Sequence, residues 1–192
     1  MAIPKTKYDR FTYADYLCWD DEKRWEIVDG SAYDMTPAPG TKHQQVSGAL
    51  FANIYNYLKG KHCQVFSAPF DVCLFENSEE DEDTYNVVQP DISVICDPGK
   101  IREKGVKGAP DWIIEVVSPT SVKYDFGTKL LLYQKYGVME YWIVDPESRT
   151  INVYRIDQSG KYLPEGVYKD NDEISASIFP DLKIIPGEIF TI

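Results

Sequence analysis

The 192-residue chain lacks the features of a membrane or secreted protein. It contains no run of about 18 apolar residues, the length a helix needs to cross a bilayer. Its first residues, MAIPKTKYDRFTYADY, have no apolar core of a signal peptide. We therefore expect a cytoplasmic protein without a membrane span. Internal repeats and linkers rich in Gly, Ser and Pro are also absent, so we expect residues 1–192 to form a single domain.

Cysteines are few, and they follow no metal-binding spacing. Cys18, Cys63, Cys73 and Cys96 lie 45, 10 and 23 residues apart, each among apolar neighbours. Zinc sites instead place two ligands within a few residues of each other. We expect four reduced thiols with a structural role.

Basic residues are scarce, since 20 Lys and Arg face 31 Asp and Glu and give a net charge of -11. This balance counts against a nucleic-acid partner, because nonspecific affinity for a polyanion comes mainly from Lys and Arg. Six acids, however, lie in the stretch ENSEEDED at residues 76–83, and the rest of the chain carries only -5. The stretch KIREKGVKG at residues 100–108 has a local charge of +3 and supplies candidate DNA contacts: Lys100, Arg102, Lys104 and Lys107.

Hydrophobic periodicity predicts three helices. The first follows Thr12 as N-cap, and the second runs from Thr41 to about Lys59. The third ends at Gly137.

The segments between these helices have the sequence patterns of β-strands. Asp29-Gly30 is a hairpin turn signal, and residues 63–96 read as consecutive strands that we expect to form a meander. Residues 111–145 read as a strand-helix-strand unit. The chain is therefore predicted to be α/β, with a central mixed sheet flanked by helices.

The strand PDWIIEVVSP at residues 110–119 carries a glutamate in its middle. Side chains alternate across a strand, so Glu115 shares a face with Ile113 and Val117. A buried carboxylate neutralises, pairs with a base or binds a metal, because its isolated charge is costly. From this strand alone, a salt bridge and a metal ligand are equally open interpretations.

Asp91 interrupts a second apolar strand, VVQPDISVIC, 24 residues before Glu115. If the two strands are neighbours, the two acids face one point. A facing Asp and Glu is the minimum that Mg²⁺ requires of a protein. The alternative for Asp91 is an ordinary residue of a turn that begins at Pro90.

The helix after the Glu115 strand places Asp125, Lys129 and Tyr133 four residues apart on one face. Lys129 can therefore point back over the sheet toward Glu115. An ordinary surface pair between Asp125 and Lys129 fits the spacing equally well.

The segments PDIS, IIEVVSPTS and DFGTKLLLYQKYGVMEYWIVDPESRTINVY resemble the Uma-type endonucleases, a family of the PD-(D/E)xK restriction-endonuclease-like superfamily. The resemblance extends from about RWEIVDG to TINVY, most of the chain. It implies a restriction-endonuclease-like core and hydrolysis of DNA phosphodiester bonds with Mg²⁺ or Mn²⁺. Similarity to other nucleases also implies a possible homodimer.

The same resemblance assigns roles to individual residues. Asp91 and Glu115 are implied metal ligands, and Glu26 in RWEIVDG is an additional or outer ligand. The motif lysine belongs at position 117, where this chain has valine. Lys129 is the matching lysine from the following helix.

His43 and Gln45 also match a family position and are candidate DNA contacts, although polar residues at a helix start need no such role. Two alternatives to a nuclease stay open. One is a catalytically inactive nucleic-acid-binding or interaction module with the same fold, and the other is a buried ion cluster that serves stability alone.

Overall fold

The structure is a computed structural model and describes residues 10–20, 23–35, 38–76 and 80–191. The α-helices in these residues are α1 Tyr13–Tyr16, α2 Thr41–Leu58, α3 Leu130–Tyr136 and α4 Pro186–Ile189, and a π-helical segment Tyr124–Lys129 precedes α3. The strands are β1 Trp25–Val28, β2 Ser31–Asp34, β3 Gln64–Ser67, β4 Asp71–Leu74, β5 Asn86–Val88, β6 Ile92–Ile95, β7 Ile101–Arg102, β8 Gly105–Lys107, β9 Trp112–Val116, β10 Glu140–Asp145, β11 Thr150–Ile156, β12 Tyr162–Lys169, β13 Ile174–Ala176 and β14 Phe179–Ile184. None of the helices in these ranges is long and apolar enough to cross a membrane.

Strands β1–β12 form two large mixed sheets, which confirms the α/β class, and β13 pairs with β14 in a separate two-stranded sheet. The first sheet has the order β2-β1-β5-β4-β8-β7, and the second has the order β12-β11-β10-β9-β6-β3. Each contains a parallel pair, β4 with β8 and β9 with β10. The predicted single central sheet is therefore divided in two. The chain crosses between the two sheets several times, because β3 and β6 lie in the second sheet while β4, β5, β7 and β8 lie in the first.

The predicted meander over residues 63–96 is wrong, although its four strands are present. β3 pairs with β6 in the second sheet, while β4 pairs with β5 in the first. Pro69 lies in the short connection between β3 and β4, and a proline cannot donate to the ladder of a hairpin. The two strands consequently separate into different sheets.

The second sheet is covered on both faces, which explains the apolar sequence of β9. Helix α2 buries Val46, Leu50, Ile54 and Leu58 against one face. Val117 belongs to the cluster on the other face, together with Leu132 of α3 and with residues of the first sheet. Burying each such side chain stabilises the fold by roughly 1.5–3 kcal/mol.

The predicted element boundaries near the site are confirmed. Thr12 accepts a hydrogen bond from the Asp15 amide in a capping box, and Asp29 and Gly30 take positive φ values of 48° and 79° between β1 and β2. Gly137 ends α3 in the left-handed conformation. The predicted strand-helix-strand unit is the parallel pair β9 and β10 joined through α3.

The expectation of four reduced thiols is wrong for one pair, since Cys63 and Cys96 form a disulfide. Its cause is the strand register: Gln64 of β3 lies opposite Ile95 of β6, which places the next residues on either side opposite each other. Cys73 is buried and Cys18 is exposed as free cysteines.

Candidate active site

Three predicted site residues from distant parts of the chain meet between the two sheets. Glu26 lies in β1, Glu115 in β9, and Lys129 at the end of the π-helical segment. The Lys129 Nζ lies 2.9 Å from Glu26 Oε1 and 2.8 Å from Glu115 Oε1. All three residues are at most 4% exposed.

Asp125 is the fourth member of this buried cluster. Its Oδ1 lies 3.8 Å from Lys129 Nζ, and its exposed fraction is 4%. Asp125 and Lys129 are therefore not the solvated surface pair that their spacing equally allowed.

The π-helical segment sets the direction of the lysine. A π turn is wider than an α turn, and such turns are rare in proteins and frequently occur at functional sites. Tyr133 follows one turn later in α3, and its hydroxyl donates to the same Glu115 Oε1, at 2.8 Å. The sequence analysis placed Tyr133 on the same helix face as Lys129 but gave it no role. Its spacing of four residues from Lys129 was the pattern that could have indicated one.

Asp91 lies beside Glu115, on the segment that joins β5 to β6. The Asp91 Oδ2 accepts a hydrogen bond from the Val116 amide at 2.8 Å, and the Asp91 amide donates to Glu115 Oε2 at 3.4 Å. These reciprocal contacts hold the two carboxylates on neighbouring strands. The Asp91 side chain is 18% exposed, so this edge of the cluster opens toward solvent.

The start of α2 reaches the same edge. His43 Nε2 lies 3.1 Å from Asp91 Oδ2. Gln45 is exposed on the helix surface. Of the two predicted residues in α2, the structure therefore brings only His43 into contact with an acid of the cluster.

The predicted basic stretch at residues 100–108 forms the β7–β8 hairpin and is not part of the cluster. In the order of the first sheet, β5 and β4 separate this hairpin from β1. Lys107 pairs with Asp81 at 2.8 Å, and Lys100 Nζ donates to the Ala109 carbonyl at 2.9 Å. Arg102 donates to the carbonyls of Gly99 and Ile101.

The cluster holds more carboxylates than cations. Burial and the charges of the nearby acids Asp125, Asp91 and Glu26 together raise the pKa of Glu115 to about 8, against the attraction of Lys129. Burial alone would lower the pKa of Lys129, but Glu115, Glu26 and Asp125 hold it well above its ordinary value. Lys129 is therefore a fixed positive charge.

His43 responds to the same balance of burial and charge. Burial lowers the pKa of its imidazole, whereas the hydrogen bond and the negative charge of Asp91 raise it above its ordinary value. The carboxylate therefore favours the charged form of this histidine.

The donor set fits a hard divalent cation. Glu26 Oε2 is buried and has no hydrogen-bond partner, and the surrounding acids supply oxygen ligands of the kind that Mg²⁺ prefers. No three of these acids, among the described residues, bring ligand oxygens within 4.8 Å of one another, because Lys129 lies between Glu26 and Glu115. Mg²⁺ commonly takes only one or two carboxylates together with waters, so Asp91 and Glu115 suffice.

Position 117, where the family motif has its lysine, holds a buried apolar side chain. Val117 lies on the same strand face as Glu115 and is buried among apolar side chains that include Ile113 and Leu132. The ammonium group that contacts Glu115 is that of Lys129, which lies in the helical segment just before α3.

Comparisons with known proteins agree with this architecture. A crystal structure from Anabaena variabilis, described as a putative nuclease belonging to DUF820, superimposes with a TM-score of 0.74 at 22% identity and covers 94% of this chain and 98% of that one. An uncharacterised protein of Synechocystis is 27% identical over 164 residues, or 83% of this chain and 82% of its own length. The family model described as "Uma2: Putative restriction endonuclease" matches residues 13–186. The resemblance found in the sequence is thereby confirmed, and the chain belongs to the Uma2 family.

Proposed function

We propose that the protein is a metal-dependent DNA endonuclease that hydrolyses phosphodiester bonds. The observation that carries this proposal is the buried cluster in which Lys129 lies between Glu26 and Glu115, with Asp91 at its open edge. Such a cluster in a chain of the Uma2 family has the residue types that the reaction requires.

Asp91 and Glu115 are the residues that would hold Mg²⁺ or Mn²⁺, with Glu26 as an additional or outer ligand. When bound, the ion supplies charge stabilisation for the phosphate and lowers the pKa of a ligated water. The protein's own part is to keep these carboxylates together, with Asp91 partly exposed at the open edge. The reciprocal backbone contacts of Asp91 and Glu115 do this.

Lys129 acts as an electrostatic group and not as a base. Its three carboxylate neighbours keep it protonated, so it cannot accept a proton from water. A fixed ammonium group beside the reacting phosphate offsets the negative charge that grows on the phosphate and leaving oxygens. Glu26 and Tyr133 are positioning residues, because they fix the lysine and the Glu115 oxygen that it contacts.

His43 and the β7–β8 hairpin complete the proposed DNA contacts. His43 lies at the open edge with its Nε2 on Asp91 and would help to place the DNA strand there, and Gln45 lies exposed on the same helix. The hairpin residues Lys100, Arg102, Lys104 and Lys107 would contact the DNA backbone away from the cleaved bond. A homodimer belongs to the proposal by similarity to other nucleases, and a cytoplasmic location belongs to it as expected from the sequence.

The test is cleavage of supercoiled plasmid and short duplexes by purified protein with Mg²⁺, Mn²⁺ or EDTA. Glu115→Gln should abolish metal-dependent cutting, whereas Glu173→Gln, which changes an exposed acid paired with Lys183, should cut like the parent protein. If the parent protein cuts under no metal, the endonuclease proposal fails and the inactive binding module takes its place.

A stability measurement separates the nuclease from a purely structural ion cluster. If Glu115 exists for a cation, Glu115→Gln should leave the metal-free protein equally or more stable, because Lys129 keeps Glu26 and Asp125 as partners and the repulsion between Glu115 and the other acids is removed. If the cluster serves stability, breaking the pair with Lys129 should lower the free energy of unfolding by about 3–5 kcal/mol. Urea unfolding in EDTA shows whether Glu115→Gln raises or lowers the free energy of unfolding.

A further inference from the structure

A pocket of about 180 Å³ lies next to Asp91, on the solvent side of the buried cluster. It is bounded by the first turns of α2, by the residue before β1 and by the end of β3. The residues that give it its chemistry are Arg24, Gln44, Ser47, Gly48, Ser67 and Asp91. The lining therefore combines one cation, one amide and two hydroxyl groups with a proposed metal ligand.

Helix α2 turns a polar face toward this pocket. Gln44, Ser47 and Gly48 are spaced as i, i+3 and i+4, which places them together, while Val46 and Leu50 point into the core. The helix begins at Gly40 without a side-chain cap, and its first turn contains no acid. An anion in the pocket would meet no carboxylate from the start of the helix.

Gly48 keeps the pocket open. A glycine inside a helix is unfavourable, because it loses more conformational freedom than other residues. No atom lies within 4 Å of the position that a Cβ at Gly48 would occupy, so packing does not require the small residue. The free space above the helix is part of the pocket.

Arg24 is held beside the cluster through Gln89. Its Nε donates to Gln89 Oε1 at 2.9 Å, and the backbone N–H of Gln89 donates to Glu26 Oε1 at 2.8 Å. An arginine has five N–H donors, so four are not used by the bond to Gln89. These donors match the fork geometry that binds phosphate oxygens.

From the pocket's place and lining, we infer that it binds a phosphate of the DNA strand next to the one being cut. This inference rests on the proposed nuclease function and names a subsite of it. A phosphate held by Arg24 and the α2 hydroxyl and amide groups would fix the strand so that its neighbour lies at Asp91. A protein with a net charge of -11 would then bind DNA through a few placed contacts at the site, in addition to those of the β7–β8 hairpin.

Occlusion of the pocket is the direct test. Gly48→Leu fills the open space and retains the fold, because leucine favours a helix more than glycine does. Asn56→Leu is the matched control, since it adds the same side chain at an exposed position two turns further along α2. Binding of a labelled duplex in EDTA and cleavage kinetics with Mg²⁺ are both measured. We expect Gly48→Leu to weaken binding and raise KM by about tenfold or more, with a smaller effect on kcat.

Salt dependence tests the arginine separately. Arg24→Met should lower the slope of log affinity against log salt by about one, as expected for one lost phosphate contact. Lys161→Met, which removes an exposed cation before β12, should leave the slope unchanged.

The outcomes distinguish the subsite from the nuclease. If the parent protein cuts DNA and Gly48→Leu binds and cuts equally well, the subsite is wrong and the nuclease stands. If the parent protein binds duplexes without cutting and Gly48→Leu loses binding, the pocket binds a DNA phosphate but the nuclease, and with it the placement beside a cleaved bond, fails. A parent protein that neither binds nor cuts DNA overturns both.

Discussion

At the scale of the residue, the two oxygens of Glu115 have different environments. Oε1 accepts from both Lys129 Nζ and the Tyr133 hydroxyl, each at 2.8 Å. Among the described parts of the chain, Oε2 has only the long contact of 3.4 Å with the Asp91 amide. Oε1, on the side of the helix, thus already accepts two hydrogen bonds. Oε2, on the side of Asp91, keeps its capacity to bind a cation.

The ammonium group beside Glu115 comes from Lys129, but a lysine at the end of the β9 strand should be able to replace it. Position 117 is two residues beyond Glu115 on the same strand face, about 7 Å away, which is within reach of a lysine side chain. Lys129→Met should lower cleavage by about 10²-fold or more, the usual loss when one preorganised charge is removed. Adding Val117→Lys to that variant should restore at least part of the lost rate, measured as kcat/KM on duplex DNA.

The matched control for the relocated lysine is Val117→Met with Lys129→Met, which has a side chain of similar length without charge. It should show no recovery. Equal rates for the two double variants would mean that Lys129 acts through the helix that carries it and not through its charge near Glu115.

At the scale of the element, local periodicity was sufficient for β9 and its following helix. The alternation of side chains along β9 predicted the face of Glu115. The spacing of four residues allowed Lys129 to point toward Glu115, although a surface pair with Asp125 fitted that spacing equally well. The π-helical geometry at Tyr124–Lys129 leaves no such pattern, because it depends on packing against both sheets. The Glu26, Glu115 and Lys129 cluster was suggested by family resemblance, since residues so far apart in sequence meet only through the tertiary fold.

Strand pairing was the least predictable feature for a related reason. The sequences of β3 to β6 predict strands but do not state which strands pair, and the two sheets divide them between long-range partners. The disulfide between Cys63 and Cys96 follows from that pairing, so it too was invisible to the spacing of the cysteines.

The β1–β2 hairpin holds Glu26, and its turn depends on Gly30. A side chain there would face two penalties, the positive φ of 79° and a Cβ only 2.6 Å from Arg10 Cβ. Gly160 has a φ of 77° but no atom within 4 Å of its Cβ position, so it carries the backbone penalty alone. Gly160→Ala should lower the free energy of unfolding by about 1 kcal/mol, and Gly30→Ala by about 2 kcal/mol or more.

Chemical denaturation of both glycine variants and the parent protein measures this difference. Similar losses for Gly30→Ala and Gly160→Ala would mean that the chain before α1 moves away from the turn without cost. A larger loss for Gly30→Ala, together with weaker cleavage, would tie the turn to the placement of Glu26.

At the scale of the whole molecule, the negative charge has two main sources with different consequences. The acidic stretch at residues 76–83 carries six acids, of which Asp81 pairs with Lys107 of the basic hairpin. The acids of the buried cluster are the other source, and a cation would offset them. DNA binding should therefore be weaker in EDTA than with a divalent ion, because metal-free acids repel the phosphates.

The disulfide joins two elements that both lead to the site. Cys63 follows α2, which begins near His43, and Cys96 follows β6, which begins after Asp91. The sequence separation of 33 residues means that the bond restricts the unfolded chain considerably. On the loop-entropy model, reduction should lower the free energy of unfolding by about 3–4 kcal/mol. Urea unfolding with and without a dithiol reductant measures the loss.

Cys63→Ser combined with Cys96→Ser is the control, and its unfolding should not respond to the reductant. An unresponsive parent protein would mean that both thiols are reduced in solution. Cleavage should be much less sensitive than stability, because α2 separates His43 from the disulfide by roughly 25 Å of helix. Under conditions where the reduced protein stays folded, His43 and Asp91 keep their contact, and the rate should remain that of the oxidised protein.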